Sequence, residues 1–199
     1  MQKLPALQFG KYYHIYNRGI NRENIFFEAR NYVYFLALYV KYIETIADTF
    51  AYCLMRNHFH LLVRIIETFE VSQTSKVCDP TQQFSNLFNA YAKAINKAYG
   101  RTGSLFEGRF GRIEVTSAEY FKNLIVYIHR NPQKHGFVED FREYPYSSYA
   151  TILADKPTRL KRDAVVKWFR SQDAVRACHQ SEPDTRAIRY LVEDDVFDA

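Results

Sequence analysis

The sequence predicts an α+β fold of the ferredoxin-like kind, a central antiparallel sheet with packed helices in the order β-α-β-β-α-β-α, followed by a small helical C-terminal appendage. Three observations predict it. Two short apolar runs, 50–55 and 58–65, are separated only by Arg56 and Asn57, the spacing of a tight hairpin. Segments with apolar residues at helical spacing lie on either side of that hairpin. A further short strand-like stretch precedes the first helix, and another follows the second.

The first strand is the aromatic–polar alternation from Tyr12 to Arg18, which stops at Gly19. A long helix is predicted over about 28–47, because Val33, Leu36, Ala37, Val40 and Ile43 recur on one side of it. In the hairpin, Asn57 tolerates the positive φ that tight turns demand. A polar stretch then runs to Asp79, with Ser72, Thr74 and Ser75. Pro80 stands where a first helical turn would begin, and the second helix closes at Gly100. Residues 112–115 are strand-like. Thr116 and Ser117 both suit the N-cap of a third helix with Glu119 in its first turn, and that helix should stop near Arg130, because Pro132 disfavours helical geometry at Asn131. Residues 1–154 are thus expected to form one domain. The appendage, 155–199, combines a basic stretch (Lys156, Arg159, Lys161, Arg162), a short amphipathic helix at 165–169 and an acidic tail. No internal repeat is visible.

The net charge is +5, and its distribution says more than its size. Residues 179–199 hold six acids against Arg186 and Arg189, and removing that −4 leaves +9 on the preceding part. A basic body with 16 Tyr and 16 Phe suits nucleic acid, where cations neutralise phosphates and rings stack on bases; an ordinary basic protein is the alternative. Cys53, Cys78 and Cys178 are scattered, so neither a disulfide framework nor a cysteine zinc site is expected. No apolar run has the length of a membrane span, and residues 1–9 lack the pattern of a signal peptide, so a cytoplasmic location with no membrane partner is expected.

His58 and His60 alternate with Phe59, so both imidazoles leave one face of a strand and can chelate one divalent metal. A bare pair of half-buried histidines would look the same. On the third helix, at 100° per residue, Tyr120, Tyr127 and Asn131 lie within about 40° of one another. Phe121, Ile125 and Ile128 form the apolar stripe beside them, which leaves Tyr127 at the edge of the buried face. Asn131 offers an amide oxygen as a third ligand, or simply ends the helix. A tyrosine suits reversible phosphoryl transfer, since a phenol of pKa about 10 leaves more readily than a serine hydroxyl. His14 reads as a structural strand histidine, a further ligand or a partner that orients a ligand, and stays outside the predicted site. His129 is excluded because it lies on the helix face opposite Tyr127, and Cys53 reads as core.

Four ordered segments carry a resemblance: Tyr12-Tyr13-His14-Ile15-Tyr16-Asn17-Arg18-Gly19, then the stretch from Ala51 through His58-Phe59-His60 to Val63, then Gly103-Ser104-Leu105-Phe106-Glu107-Gly108-Arg109-Phe110, and Tyr127-Ile128-His129-Arg130-Asn131-Pro132. Over about residues 10–153 the chain resembles the single-tyrosine HUH transposases, most of all the REP-associated tyrosine transposases. The resemblance implies a metal pair at His58 and His60, a nucleophile at Tyr127, and a polar ligand at Asn131. It also implies Mg²⁺ or Mn²⁺, single-stranded or hairpin DNA as partner, a 5′-phosphotyrosine intermediate with a free 3′-hydroxyl, and an oligomeric state for which a homodimer stays open. The chain departs from the family pattern in two places. Arg56 stands where the hairpin usually carries Pro, and Gln133, Lys134 and His135 replace the usual basic and alanine residues.

For DNA contact we expect Arg18, Arg22, Arg101, Arg109 and Arg112 on phosphates, with Phe106 and Phe110 stacking on bases or else packing inward. Three functions compete: a nuclease and strand transferase, a hairpin-binding regulator on the same fold, and a metal-dependent hydrolase using water. The last would leave Tyr127 without a role and lacks a nearby carboxylate base.

Overall fold

A computed structural model describes residues 6–67 and 79–183 of the chain. Strands β1 (Tyr12–Arg18), β2 (Ala47–Leu54), β3 (His58–Ile65) and β4 (Gly111–Val115) form one antiparallel sheet in the order β2-β3-β1-β4. With α1 (Ala29–Ile43), α2 (Pro80–Ala98) and α3 (Ala118–Lys134) in between, this is the predicted ferredoxin-like order. Short helices α4 (Tyr149–Leu153), α5 (Arg162–Phe169) and α6 (Gln172–Gln180) follow. Cys78, the loop residues Ser72, Thr74 and Ser75, and the acidic tail from Asp184 lie outside the described residues.

The period-2 alternation of the strands sorts the sheet into two faces. Tyr13 and Ile15 of β1 and Phe59, Leu61 and Val63 of β3 join α1 and α2 in one core, together with Phe35, Phe84, Phe88 and Tyr91. Leu62 and the β2 residues Phe50, Ala51 and Cys53 face the other way. They meet Phe121, Leu124, Ile125 and Ile128 of α3, with Val165 and Phe169 of α5 and Val175 of α6 behind. The helices after residue 155 therefore share a core with the helix that carries Tyr127.

Four local expectations are corrected. Helix α1 stops at Ile43, because Ala47 already pairs with Ile65 across the sheet. Strand β2 begins three residues before the apolar run. Its polar start was hidden because Asp48 is a poor strand former, here neutralised by Arg64 at 2.5 Å and Lys161 at 2.9 Å. In the hairpin, Met55 and His58 exchange backbone bonds at 2.8 and 3.3 Å, yet Asn57 has no positive φ. The turn is held from outside instead, with Gly19 N–H donating to Asn57 O and both Ile25 and Phe26 N–H donating to Arg56 O. Helix α3 runs through Pro132 to Lys134. A proline inside a helix loses one backbone bond and crowds the preceding turn, at a cost of about 3 kcal/mol. Burial of the apolar Ile128 and Pro132 side chains offsets that cost, and the helix closes only at Gly136, whose φ is +67°. The cap is Ser117, which accepts from Tyr120 N–H.

Candidate metal and nucleophile site

The hairpin and the α3 stripe bring the predicted residues together. His58 and His60 leave β3 on the α3 face, both buried, with ring centroids 5.2 Å apart and planes near perpendicular. The Tyr127 ring stands edge-on to His60 at 5.6 Å and is itself buried. Phe121, Ile125 and Ile128, almost wholly buried, dock α3 so that Tyr127 reaches this position. Asn131, four residues on, is fully buried.

Each imidazole is held from its other nitrogen. Asn57 Oδ1 lies 2.7 Å from His58 Nδ1, and because an amide oxygen only accepts, that nitrogen carries the hydrogen and Nε2 keeps its lone pair. His60 Nδ1 lies 3.0 Å from His14 Nε2. Burial is the main reason that the His60 imidazole is held well below the usual histidine range. The neighbouring His14, His58, His135 and Lys134 push the same way, so His60 is neutral and fit to ligate.

Polar atoms without protein partners mark where a ligand would sit. His60 Nε2, Asn131 Oδ1 and Asn131 Nδ2 are buried with no hydrogen-bond partner among the described residues. Such groups cost about 1–3 kcal/mol each when left unsatisfied. A divalent cation would take up the lone pairs of His60 Nε2 and Asn131 Oδ1, so the donor set fits a metal that accepts nitrogen and oxygen ligands. Among the described residues, no group of three or more His, Cys, Asp and Glu could hold a metal ion, so an all-ionisable cage is not available and an amide or water ligands must complete the shell.

Four neighbours escaped the sequence reading in whole or part. His14 contacts His60 across the sheet and stacks on Tyr16 at 4.9 Å and 20°. Tyr16 in turn lies over Gly111, where a Cβ would come within 2.3 Å of the ring. Lys134 Nζ stands 5.4 Å from the centre of the Tyr127 ring, and the His135 ring is 4.9 Å from His58. Only strand register could have revealed the His14 contact, since Tyr16, not His14, is directly opposite His60.

The predicted DNA contacts are not gathered in one place. Arg18 makes a two-pronged pair with Glu107, and Arg22 also acts on that carboxylate. Arg101 donates to Glu23 at 2.7 Å and its guanidinium lies over the Phe27 ring. Arg109, exposed, and Arg112, half-buried over the Phe110 ring, line a groove beside α2 with Asn17, Asn89 and Lys93. The base-stacking role expected for Phe106 and Phe110 is corrected. Both rings are buried against Phe88, because the basic loop folds back onto α2 and closes the first core.

Among the described residues no helix is long and apolar enough to cross a membrane. The family model described as "Transposase IS200 like" matches residues 8–131. A Haemophilus influenzae protein (strain ATCC 51907 / DSM 11121 / KW20 / Rd) named as a REP-associated tyrosine transposase is 29% identical over 105 residues, covering 51% of this chain. The chain spans 58% of the length of that relative. The solved structure of a REP-associated tyrosine transposase bound to a REP hairpin superposes with a TM-score of 0.61 at 14% identity, covering 79% of this chain and 88% of the other. That likeness concerns the fold.

Proposed function

Because the chain belongs to the IS200-like transposase family, we propose that it cuts and rejoins single-stranded DNA beside hairpins with Tyr127 as nucleophile. The observation that carries this reading is the meeting of Tyr127 with His60 at 5.6 Å, with a buried Asn131, whose amide has no protein partner among the described residues, four residues further along the same helix. The substrate class is supported by the relatives, one named as a REP-associated tyrosine transposase and another solved on a REP hairpin.

In the proposed reaction the Tyr127 oxygen attacks phosphorus, gives up its phenolic proton and forms a new P–O bond. The bond from phosphorus to the 3′ oxygen breaks, and that oxygen takes up a proton to leave as a 3′-hydroxyl. The DNA end stays on the protein as a 5′-phosphotyrosine ester. Attack by a 3′-hydroxyl on that ester reverses the exchange and frees Tyr127, so one ester is traded for another without an energy source. His58, His60 and Asn131 would hold Mg²⁺ or Mn²⁺, which when bound withdraws charge from the non-bridging phosphate oxygens. Lys134 stands where it can meet the charge of the phosphate, and Arg18, Arg22, Arg101, Arg109 and Arg112 supply the phosphate contacts along the strand.

Tyr127 meets His60 of its own chain, and cleavage is proposed to be completed within one copy. Residues 1–154 form the proposed transposase domain. Residues 155–199 form an appendage whose α5 and α6 brace α3 through Val165, Phe169 and Val175. The test is a denaturing gel after incubation with labelled hairpin oligonucleotides and Mg²⁺ or Mn²⁺. A protease-sensitive shifted band is expected, and tight hairpin binding with no such band would favour the regulator instead.

A further inference from the structure

We propose that His14 is a positioning residue for the metal ligands, accepting a hydrogen bond at Nε2 from His60 Nδ1 and so keeping the His60 Nε2 lone pair available. This rests on the metal reading of His58, His60 and Asn131. Two nitrogens 3.0 Å apart share a single hydrogen. If it belongs to His60 Nδ1, then His60 Nε2 is a bare lone pair. If it belongs to His14 Nε2, then His60 carries its hydrogen on Nε2 and cannot ligate a cation there. The residue at position 14 therefore decides whether His60 is a ligand at all.

His58 does not face this choice, because Asn57 Oδ1 can only accept. His14 can do either, and its surroundings fix where it sits rather than which way it bonds. It is fully buried, with the Tyr16 ring 4.9 Å away and nearly parallel to it and the His60 ring bonded to its edge, and Tyr16 occupies the space that Gly111 leaves by having no side chain. A ligand imidazole oriented through its second nitrogen commonly binds metal 10- to 100-fold more tightly than one without that support.

The test measures Mn²⁺ affinity of the full chain by electron paramagnetic resonance for wild type, His14→Phe and His14→Gln, with thermal melts to verify folding. His14→Phe, which can neither accept nor donate, should weaken Mn²⁺ binding about 10- to 100-fold, and His14→Gln, whose amide oxygen can accept, should recover most of it. A folded His14→Phe protein that binds Mn²⁺ within twofold of wild type would overturn the role of His14 alone. Wild type that binds no Mn²⁺ would overturn the metal reading and this role with it. Should His14→Phe not fold, long-range ¹H–¹⁵N spectra of wild type with Mg²⁺ decide the matter. Hydrogen on His60 Nδ1 is expected, and hydrogen on His60 Nε2 would overturn the proposal.

Discussion

Two pairs of buried histidines touch nitrogen to nitrogen in this protein, and they end differently. His129 Nδ1 lies 2.8 Å from His179 Nε2, and its Nε2 lies 2.8 Å from Ser148 Oγ. His179 Nδ1 then donates to Val175 O at 2.7 Å, and Ser148 Oγ accepts from Tyr52 N–H. One choice of tautomers satisfies every group, and the chain of bonds ties α6 and α3 to β2. The pair His14 and His60 starts in the same way but runs out at His60 Nε2, buried and without a protein partner beside Tyr127. A satisfied histidine network is architecture, whereas an unfinished one at equal depth is a place kept for something else.

That comparison can be broken by exchanging the expected effects. His60→Ala should abolish adduct formation, by at least about a thousandfold, and eliminate tight Mn²⁺ binding at a smaller cost in stability than loss of His129, since it gives up the bond to His14 but also deletes an unsatisfied atom. Single-turnover cleavage, Mn²⁺ titration and a melt would check this together. His129→Ala should do the reverse. It strands Ser148 and His179 and should cost roughly 2–4 kcal/mol in a urea melt, with Mn²⁺ affinity unchanged. A His129→Ala protein that melts like wild type but loses the metal would contradict the assignment of both pairs.

Acidification sharpens the contrast. Burial holds His129 well below the usual range and lowers His179 to about 4, so the folded protein binds fewer protons there than the unfolded chain does. The stability these groups contribute is present above about pH 6.5 and is lost as pH falls toward 4, amounting to about 3 kcal/mol for His179. A melting temperature that stays flat from pH 7 to pH 4 would contradict it. A smaller effect is expected from Gly111→Ala, whose new Cβ would meet the Tyr16 ring and press it toward His14. Overpacking of this sort costs about 1–3 kcal/mol, and cleavage should fall severalfold in the kinetic assay with the melt shifted only modestly. Smallest is the salt response of hairpin affinity. If Arg18, Arg22, Arg101, Arg109 and Arg112 touch phosphates, the log–log slope should be about −3.5 for a single strand, and a flat response would remove them from the interface.

Much of the site is legible in the sequence because it follows from two periodicities. Alternation along β3 puts His58 and His60 on the face opposite Phe59 and Leu61, and helical spacing puts Tyr127 on the side of α3 that reaches His60. What tertiary packing decides is not legible. Pro132 signals a helix stop by its local chemistry, yet the burial of Ile128 and of Pro132 itself carries α3 past it. Phe106 and Phe110 sit in a basic, glycine-punctuated loop that looks like a contact surface until α2 is present to receive them. The partnership of His14 with His60 depends on the register of β1 against β3, which local sequence does not contain.

The most direct test of the central claim is to digest the DNA-linked protein and locate the modified residue by mass spectrometry. The nucleotide remnant is expected on the peptide that contains Tyr127, and the linkage should vanish in Tyr127→Phe while hairpin affinity is retained. A remnant on Tyr120 or Tyr16, or cut DNA with no protein linkage, would contradict Tyr127 as the nucleophile.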